Sequence, residues 1–336
     1  MEALLYEKLE KNLVQCRICN HFCKIKDGKK GICNVRENQG GILVSLVFDQ
    51  VIATSVDPIE KKPIFHFKPG SFSYSIATMG CNFKCHFCQN SDIAQIPADT
   101  KGVIRGEKIH PQKIVEQALA AGCQSISYTY TEPSVFFELA YETAKVAKEN
   151  NVSNIFVTNG YMSGDLISLV APFLDAVNVD LKAFDEKFYQ TYCHARLEPV
   201  KQTLRLMKQA GILVEVTTLL IPGLNDDPKE LARLAAFLVN DLGCETPWHV
   251  SRFHPSYRMT HMGPTPVAAL ERACEIGQKA GLCHVYTGNA PGLPFENTRC
   301  RDCNALVVKR HGYTIENYLK ENGTCPVCDA PVVGIY

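Results

Sequence analysis

Cys81, Cys85 and Cys88 stand close together in the stretch Met79-Gly80-Cys81-Asn82-Phe83-Lys84-Cys85-His86-Phe87-Cys88-Gln89-Asn90. Thiolates are the usual protein ligands of iron–sulfur clusters. Three of them in C-x3-C-x2-C spacing can hold three irons of a [4Fe–4S] cluster and leave the fourth iron open to an outside ligand. A zinc ion that borrows a fourth ligand such as His86 is the competing reading. Structural zinc is closed by four protein ligands, usually as paired C-x2-C knuckles, so the cluster suits this spacing better. The apolar run from Phe72 to Ala77 reads as a strand that delivers the cysteines into the loop after it.

The chain of 336 residues is 46% hydrophobic and 21% charged, which allows one large domain with a sizeable core plus small appendages. Thirty-five basic residues balance thirty-five acidic ones, giving no electrostatic ground for binding nucleic acid or an anionic membrane. The start Met-Glu-Ala-Leu-Leu-Tyr-Glu-Lys lacks a basic segment followed by an apolar one, and no stretch reaches the roughly 20 apolar residues that span a bilayer. A soluble, cytoplasmic protein is expected. Sixteen cysteines in that compartment are metal ligands more readily than disulfides. Cys123, Cys193, Cys244, Cys274 and Cys283 are scattered among apolar neighbours and read as small buried hydrophobes.

Two further sets come in fours. Cys16, Cys19, Cys23 and Cys33 surround a Lys/Gly-rich turn and make a closed site that would fold a small lobe; zinc and an auxiliary [4Fe–4S] cluster both suit four thiolates, and the Cys16/Cys19 knuckle leans toward zinc. Cys300, Cys303, Cys325 and Cys328 are two knuckles around short strand-like runs, a zinc-ribbon pattern that a rubredoxin-like iron site would share. The expected division is therefore 1–70 for an N-terminal four-cysteine lobe and connection, 71–288 for a central domain, and 289–336 for a C-terminal ribbon.

Between about 72 and 288 short β-rich runs alternate with helical stretches, the pattern of βα units around a parallel sheet. Strands are expected at Ser73–Ala77, Ser125–Tyr130, Asn154–Thr158, Ala176–Leu181, Leu213–Leu220, Trp248–Phe253 and His284–Thr287, with helices at Pro111–Ala121, Pro133–Asn150, Gly164–Ala171, Lys201–Ala210, Pro228–Asp241 and Pro266–Ala280. That is fewer than the eight units of a closed barrel, so a partial (β/α)6-type TIM barrel is expected, with its functional groups at the carboxyl ends of the strands. Those ends carry Thr131-Glu132-Pro133, Thr158-Asn159-Gly160, Asp180-Leu181-Lys182, Ile221-Pro222-Gly223 and Phe253-His254-Pro255.

The motif C-x3-C-x-Phe-C after an apolar strand resembles the signature of radical S-adenosylmethionine enzymes. The strand-end motifs resemble the pyruvate formate-lyase activating-enzyme branch, and the chain with both its four-cysteine lobes is most similar to the radical enzyme of the AmmeMemoRadiSam system. The resemblance implies that S-adenosylmethionine chelates the open iron and that reduction of the cluster yields a 5′-deoxyadenosyl radical, with Cys81, Cys85 and Cys88 at the catalytic centre. It places Phe87 and Ile221 against adenine, Thr131 and Glu132 at the amino group, and Thr158, Asn159, Gly160, Asp180 and Lys182 around the ribose and methionine carboxylate. His254 would contact adenine or act on substrate, with Arg252 or Tyr257 facing a substrate anion. An electron donor such as flavodoxin or ferredoxin is implied, and the substrate is left open. A glycyl-radical activase and a nucleic-acid-binding zinc protein are the alternative functions.

Overall fold

Seven apolar runs rich in β-branched and aromatic residues become parallel strands in the computed structural model, which describes residues 1–95 and 103–336. They are β1 (Phe72–Thr78), β2 (Ser125–Tyr128), β3 (Ser153–Thr158), β4 (Ala176–Asp180), β5 (Leu213–Leu220), β6 (Trp248–Arg252) and β7 (Val285–Gly288). They pair in sequence order from β1 to β7. Strand Gln50–Pro58 adds to β1 antiparallel, and Glu107–Lys108 adds to that strand, making nine in all. The two edges of this sheet are not paired with each other among the described residues. The result is the α/β partial barrel the alternating pattern predicts.

Strands covered on both faces read as continuous apolar or small-residue runs rather than alternating ones. All four residues of β2 are buried, as are the first four of β4. Helices α1 (Pro111–Ala120), α2 (Phe137–Glu149), α3 (Gly164–Val170), α4 (Leu197–Gln209), α5 (Pro228–Phe237) and α6 (Val267–Lys279) follow the strands. Pro111 and Pro228 occupy the first turns of their helices, and Asp227 accepts from the backbone N–H groups of Lys229 and Glu230. Pro133 does not start α2, because Glu132–Phe136 is a turn held by the Glu132 carboxylate and carbonyl, and the helix begins at Phe137. Helix α4 begins earlier than expected, at Leu197.

The segment after Pro58 runs into the barrel and closes its floor. Glu215 on β5 accepts from the backbone N–H of Phe65 and of His66 and pairs with Nε2 of His249 at 2.6 Å, while Asn178 donates to the carbonyl of Pro63. The C-terminal sheet, Thr298–Arg299, Leu306–His311 and Thr314–Asn317, docks on that floor. Arg310 reaches in from it, donates to the carbonyl of Phe65 at 2.8 Å and lies over the Phe65 ring. At the opposite pole a small sheet of Tyr6–Lys8, Val14–Cys16 and Lys24–Ile25, with the hairpin Arg36–Gln39/Ile42–Ser45, packs beside the ends of β2 and β3. It is joined there by Asn20 N–H to the Tyr161 carbonyl and Ser163 N–H to the Ile18 carbonyl. Of the scattered cysteines, Cys123, Cys193 and Cys274 are buried as expected, whereas Cys244 and Cys283 are exposed. They lie in the turns that lead into β6 and β7, outside the packed layers, and Cys283 N–H donates to the Cys244 carbonyl.

Candidate active site

Strand β1 leads straight into the cysteine loop, and the first constraint on its path is Gly80. At φ +97° a Cβ there would lie 2.7 Å from Cγ1 of Val35 and 3.0 Å from the carbonyl oxygen of Cys33, so only glycine lets the loop pass against the N-terminal lobe. Asn82 is then fixed from three sides. Its Oδ1 accepts from Nδ2 of Asn159 at 2.7 Å, its Nδ2 donates to Ser134 Oγ at 3.4 Å, and its carbonyl lies 2.9 Å from Nε2 of His21. Further on, Lys84 and His86 donate their N–H groups to the carbonyls of Cys193 and Tyr192, Arg258 N–H donates to the His86 carbonyl, and Ser256 Oγ donates to that of Cys88. The loop therefore gathers contacts from the ends of β2, β3 and β6 and from the turn after β4.

The three sulfurs sit in donor-rich, largely buried surroundings. Phe83 N–H lies 3.4 Å from Cys81 Sγ, with Nδ2 of Asn159 at 3.9 Å. Burial holds the Cys81 thiol well above its ordinary range, contact with Cys193 together with burial does the same for Cys85, and burial pushes Cys88 up to about 11. Metal binding replaces the thiol protons, so such thiols become thiolates only with a metal in place. Among the described residues, only Cys300, Cys303, Cys325 and Cys328 bring three or more ligand atoms within 4.8 Å of one another. The sulfurs of Cys81, Cys85 and Cys88 do not all lie within 4.8 Å of one another.

Glu132, 1% exposed at the end of β2, is the hub beside the loop. Its Oε1 accepts from Thr158 Oγ1 at 2.8 Å and from the N–H and hydroxyl of Ser134, and its Oε2 accepts from Asn159 N–H at 2.8 Å. Burial raises its carboxyl above the ordinary range, and these donors oppose the rise. Thr131 Oγ1 donates to the Thr78 carbonyl at the end of β1. Gly160, at φ +70°, has no room for a Cβ beside Val179 and Val200. Asp180 and Lys182 at the end of β4 pair with each other at 2.8 Å, and the Lys182 ammonium lies 5.7 Å from the Phe87 ring centroid. Burial opposes the Lys182 charge, but Asp180, Cys85 and Cys193 outweigh it and raise the amine. Ile221 is buried, its N–H bound to Oδ1 of Asn225, whose Nδ2 bridges to the carbonyls of Lys182 and Leu219.

Thus Phe87, Thr131, Glu132, Thr158, Asn159, Gly160, Asp180, Lys182 and Ile221 all lie on the carboxyl side of the parallel strands with the cysteine loop. His254 is exposed on the loop after β6, and Arg252 is committed to the Thr265 carbonyl at 2.9 Å. Sequence reasoning passed over Asn82, Ser134, Asn225 and Ser256, whose work is to join neighbouring loops. It also read Cys193 as plain core, although it touches Cys85. Inside the barrel, Asp57 takes charge-assisted bonds from Lys61 and Lys62 and a short one from the Tyr130 hydroxyl, and burial lowers the Lys62 amine to about 8. Only the unusual φ of +61° at Tyr130 marks that cluster locally.

A parallel partial barrel with a three-cysteine loop after its first strand is the architecture of enzymes that open S-adenosylmethionine at an iron–sulfur cluster. The sequence pattern of the Radical SAM superfamily matches residues 75–235. An uncharacterized protein of Methanocaldococcus jannaschii is 44% identical over 329 residues, spanning 97% of each chain. The pyruvate formate-lyase-activating enzyme of Clostridium pasteurianum is 20% identical over 167 residues, 48% of this chain and 67% of that protein. Among solved structures, a radical SAM methyltransferase from Sphaerobacter thermophilus superposes with a TM-score of 0.52 at 18% identity, covering 67% of this chain and 68% of that one, a likeness of fold. The chain belongs to the radical SAM superfamily, with relatives of the pyruvate formate-lyase-activating kind. No helix among the described residues is long and apolar enough to cross a membrane.

Proposed function

We propose that this protein is a radical S-adenosylmethionine enzyme that abstracts a hydrogen atom from a substrate still to be identified, with Cys81, Cys85 and Cys88 as the ligands of its catalytic [4Fe–4S] cluster. The observation that carries the reading is the convergence of those three thiols with Glu132, Asn159, Asp180 and Lys182 at one end of a parallel barrel. A [4Fe–4S] cluster held by Cys81, Cys85 and Cys88 would supply, once reduced by a donor, the one-electron chemistry that opens S-adenosylmethionine to methionine and a 5′-deoxyadenosyl radical. Three partly to fully buried thiols whose sulfurs do not all meet within 4.8 Å fit that group. The chain's own residues hold and orient. Glu132 would present its carboxylate to a methionine amino group, Asn159, Asp180 and Lys182 would face the ribose and carboxylate, and Phe87 and Ile221 are the apolar side chains for adenine. Thr131, Thr158 and Gly160 fix the loops that carry these groups, and His254 stands outside them, open to substrate. A low-potential one-electron donor of the flavodoxin or ferredoxin class would serve as reductant.

The likeness to a pyruvate formate-lyase-activating enzyme favours a second reading, activation of a glycyl-radical partner. Against nucleic-acid binding, the basic run of the ribbon is interrupted, since Arg310 is buried against the barrel floor between exposed Lys309 and His311. The test is anaerobic incubation with S-adenosylmethionine and dithionite. Release of 5′-deoxyadenosine, lost in Cys85→Ala, is expected; its persistence in that variant would overturn the assignment. A glycyl radical seen by electron paramagnetic resonance on a glycine-loop partner would select the activase.

A further inference from the structure

Two of the three cysteine sets in this chain serve as rulers for the third. In the C-terminal ribbon, Cys300 and Cys328 sulfurs are 3.6 Å apart, as are those of Cys303 and Cys325, and all four ligand atoms lie within 4.8 Å of one another. That is the spacing of four thiolates on one tetrahedral ion, where Zn–S bonds of about 2.3 Å put the sulfurs about 3.8 Å apart. In the central loop, where on the proposed reading each thiolate serves its own iron, the three sulfurs do not all come within 4.8 Å of one another. Cys16, Cys19, Cys23 and Cys33 follow the second pattern. No three of their sulfurs meet within 4.8 Å, yet all four line one small cavity, together with Ile18, His21, Ile25, Arg36 and Asn82. Four thiols that ring a space, rather than converge on a point, fit a body larger than one ion.

Arg36 supplies an independent observation. It is 2% exposed and uses its terminal nitrogens on Glu138, at 2.9 and 2.6 Å, and on the Val135 carbonyl. Its Nε is buried with no hydrogen-bond partner, and Arg36 lines the void. A buried donor without an acceptor keeps its desolvation cost unless something fills its place. The sulfides of an iron–sulfur cluster are acceptors for such donors, and hydrogen bonds to them tune the cluster.

We propose that Cys16, Cys19, Cys23 and Cys33 hold a second [4Fe–4S] cluster, fully ligated by protein and hydrogen-bonded by Arg36. It would lie against the catalytic loop, since Asn82 lines its void and the Cys33 carbonyl abuts Gly80. The choice of iron over zinc rests on the reading of Cys81, Cys85 and Cys88 as cluster ligands, and the variants below separate the two.

The test is metal and sulfide analysis of the full chain produced and reconstituted anaerobically with iron, zinc and sulfide all present, with electron paramagnetic resonance of the dithionite-reduced protein. The expected wild-type content is about eight iron, about eight sulfide and one zinc. The triple variant C81A/C85A/C88A leaves the N-terminal lobe intact and should keep about four iron and a reduced-cluster signal. Cys19→Ala with Cys33→Ala should halve the iron. A triple variant with no iron and about two zinc overturns the second cluster while leaving the catalytic one standing. Wild type with about four iron, retained in the triple variant and lost in the Cys19/Cys33 variant, would establish the second cluster and overturn the catalytic assignment.

Discussion

Asn159 donates from Nδ2 to Oδ1 of Asn82 across 2.7 Å, with both side chains buried. One residue adjoins Cys81 and the other closes β3, so this single amide pair ties the cysteine loop to the sheet. Asn159 also accepts from Tyr161 N–H through its Oδ1 and gives its own N–H to Glu132, which makes it the joint of three loops. Asn159→Ala would leave Oδ1 of Asn82 without a strong donor, at a cost of about 1–3 kcal/mol. A lower urea midpoint and less iron retained after gel filtration are the expected results. Unchanged iron and stability would show that the pair does not hold the loop.

Arg36 and Glu138 form a buried, bidentate pair, 2% and 0% exposed, between the N-terminal hairpin and α2. Removing one partner strands a charge in the interior, which costs about 3–5 kcal/mol, whereas replacing both by apolar groups is often neutral. Arg36→Met should therefore lower thermal stability strongly, and the double change Arg36→Met, Glu138→Leu should recover most of it. A double variant no more stable than the single one would mean that the pair is not the docking contact.

Much of this was legible in the sequence because its signals are local. The seven strands follow from apolar runs, and β5 spans the expected Leu213–Leu220 without change. The strand-end motifs fall at the carboxyl face because parallel βα topology leaves them no other place. Long-range polar pairing left little local trace. Nothing near Glu138 announces Arg36, a partner 102 positions away, and nothing near Lys62 announces that Asp57 and Tyr130 close around it inside the barrel. Pro133 misled the reading of α2 because proline suits a turn as well as a first helical position, and here the Glu132 carboxylate decides for the turn. The width of the Cys16–Cys33 set is likewise a property of packing, which spacing along the chain does not encode.

The ribbon anchors the barrel floor through Arg310, whose guanidinium is buried, bonded to the carbonyls of Phe65 and Glu296 and to Thr298 Oγ1, and 4.2 Å from the Phe65 ring centroid. Cys303→Ser, which removes one of the four thiols placed to hold a metal in the ribbon, should loosen that contact and lower the melting temperature. The fraction that remains folded should still form 5′-deoxyadenosine, because the catalytic loop is at the opposite pole. Arg310→Met, which removes the charged donor but not the bulk, should cost on the order of 3 kcal/mol in the same assay. Equal stability of Arg310→Met and wild type would show that the docking is apolar instead.

The same floor predicts a specific response to acid. His66 and His284 are buried with ring centroids 4.5 Å apart, and His66 lies 2.7 Å through Nδ1 from the Val333 carbonyl and 2.7 Å through Nε2 from the Tyr286 hydroxyl. A carbonyl only accepts, so Nδ1 carries the proton and Nε2 accepts from Tyr286. Burial, followed by the neighbouring His284, lowers His66 to about 3, and burial with Arg301 and Arg310 lowers His284 to about 4. The unfolded chain takes up these protons near the ordinary value of 6.5 and the folded chain does not, so the unfolded state binds more protons as pH falls. Their contribution is complete above about pH 6.5 and erodes below it, by about 1.4 kcal/mol per pH unit for each histidine, until His284 itself titrates near 4. Unfolding midpoints measured from pH 7 to 5 should therefore fall more steeply in wild type than in His66→Gln with His284→Asn. Parallel slopes, or imidazole resonances that titrate near 6.5 in the folded protein, would show that these histidines are not held neutral by the floor.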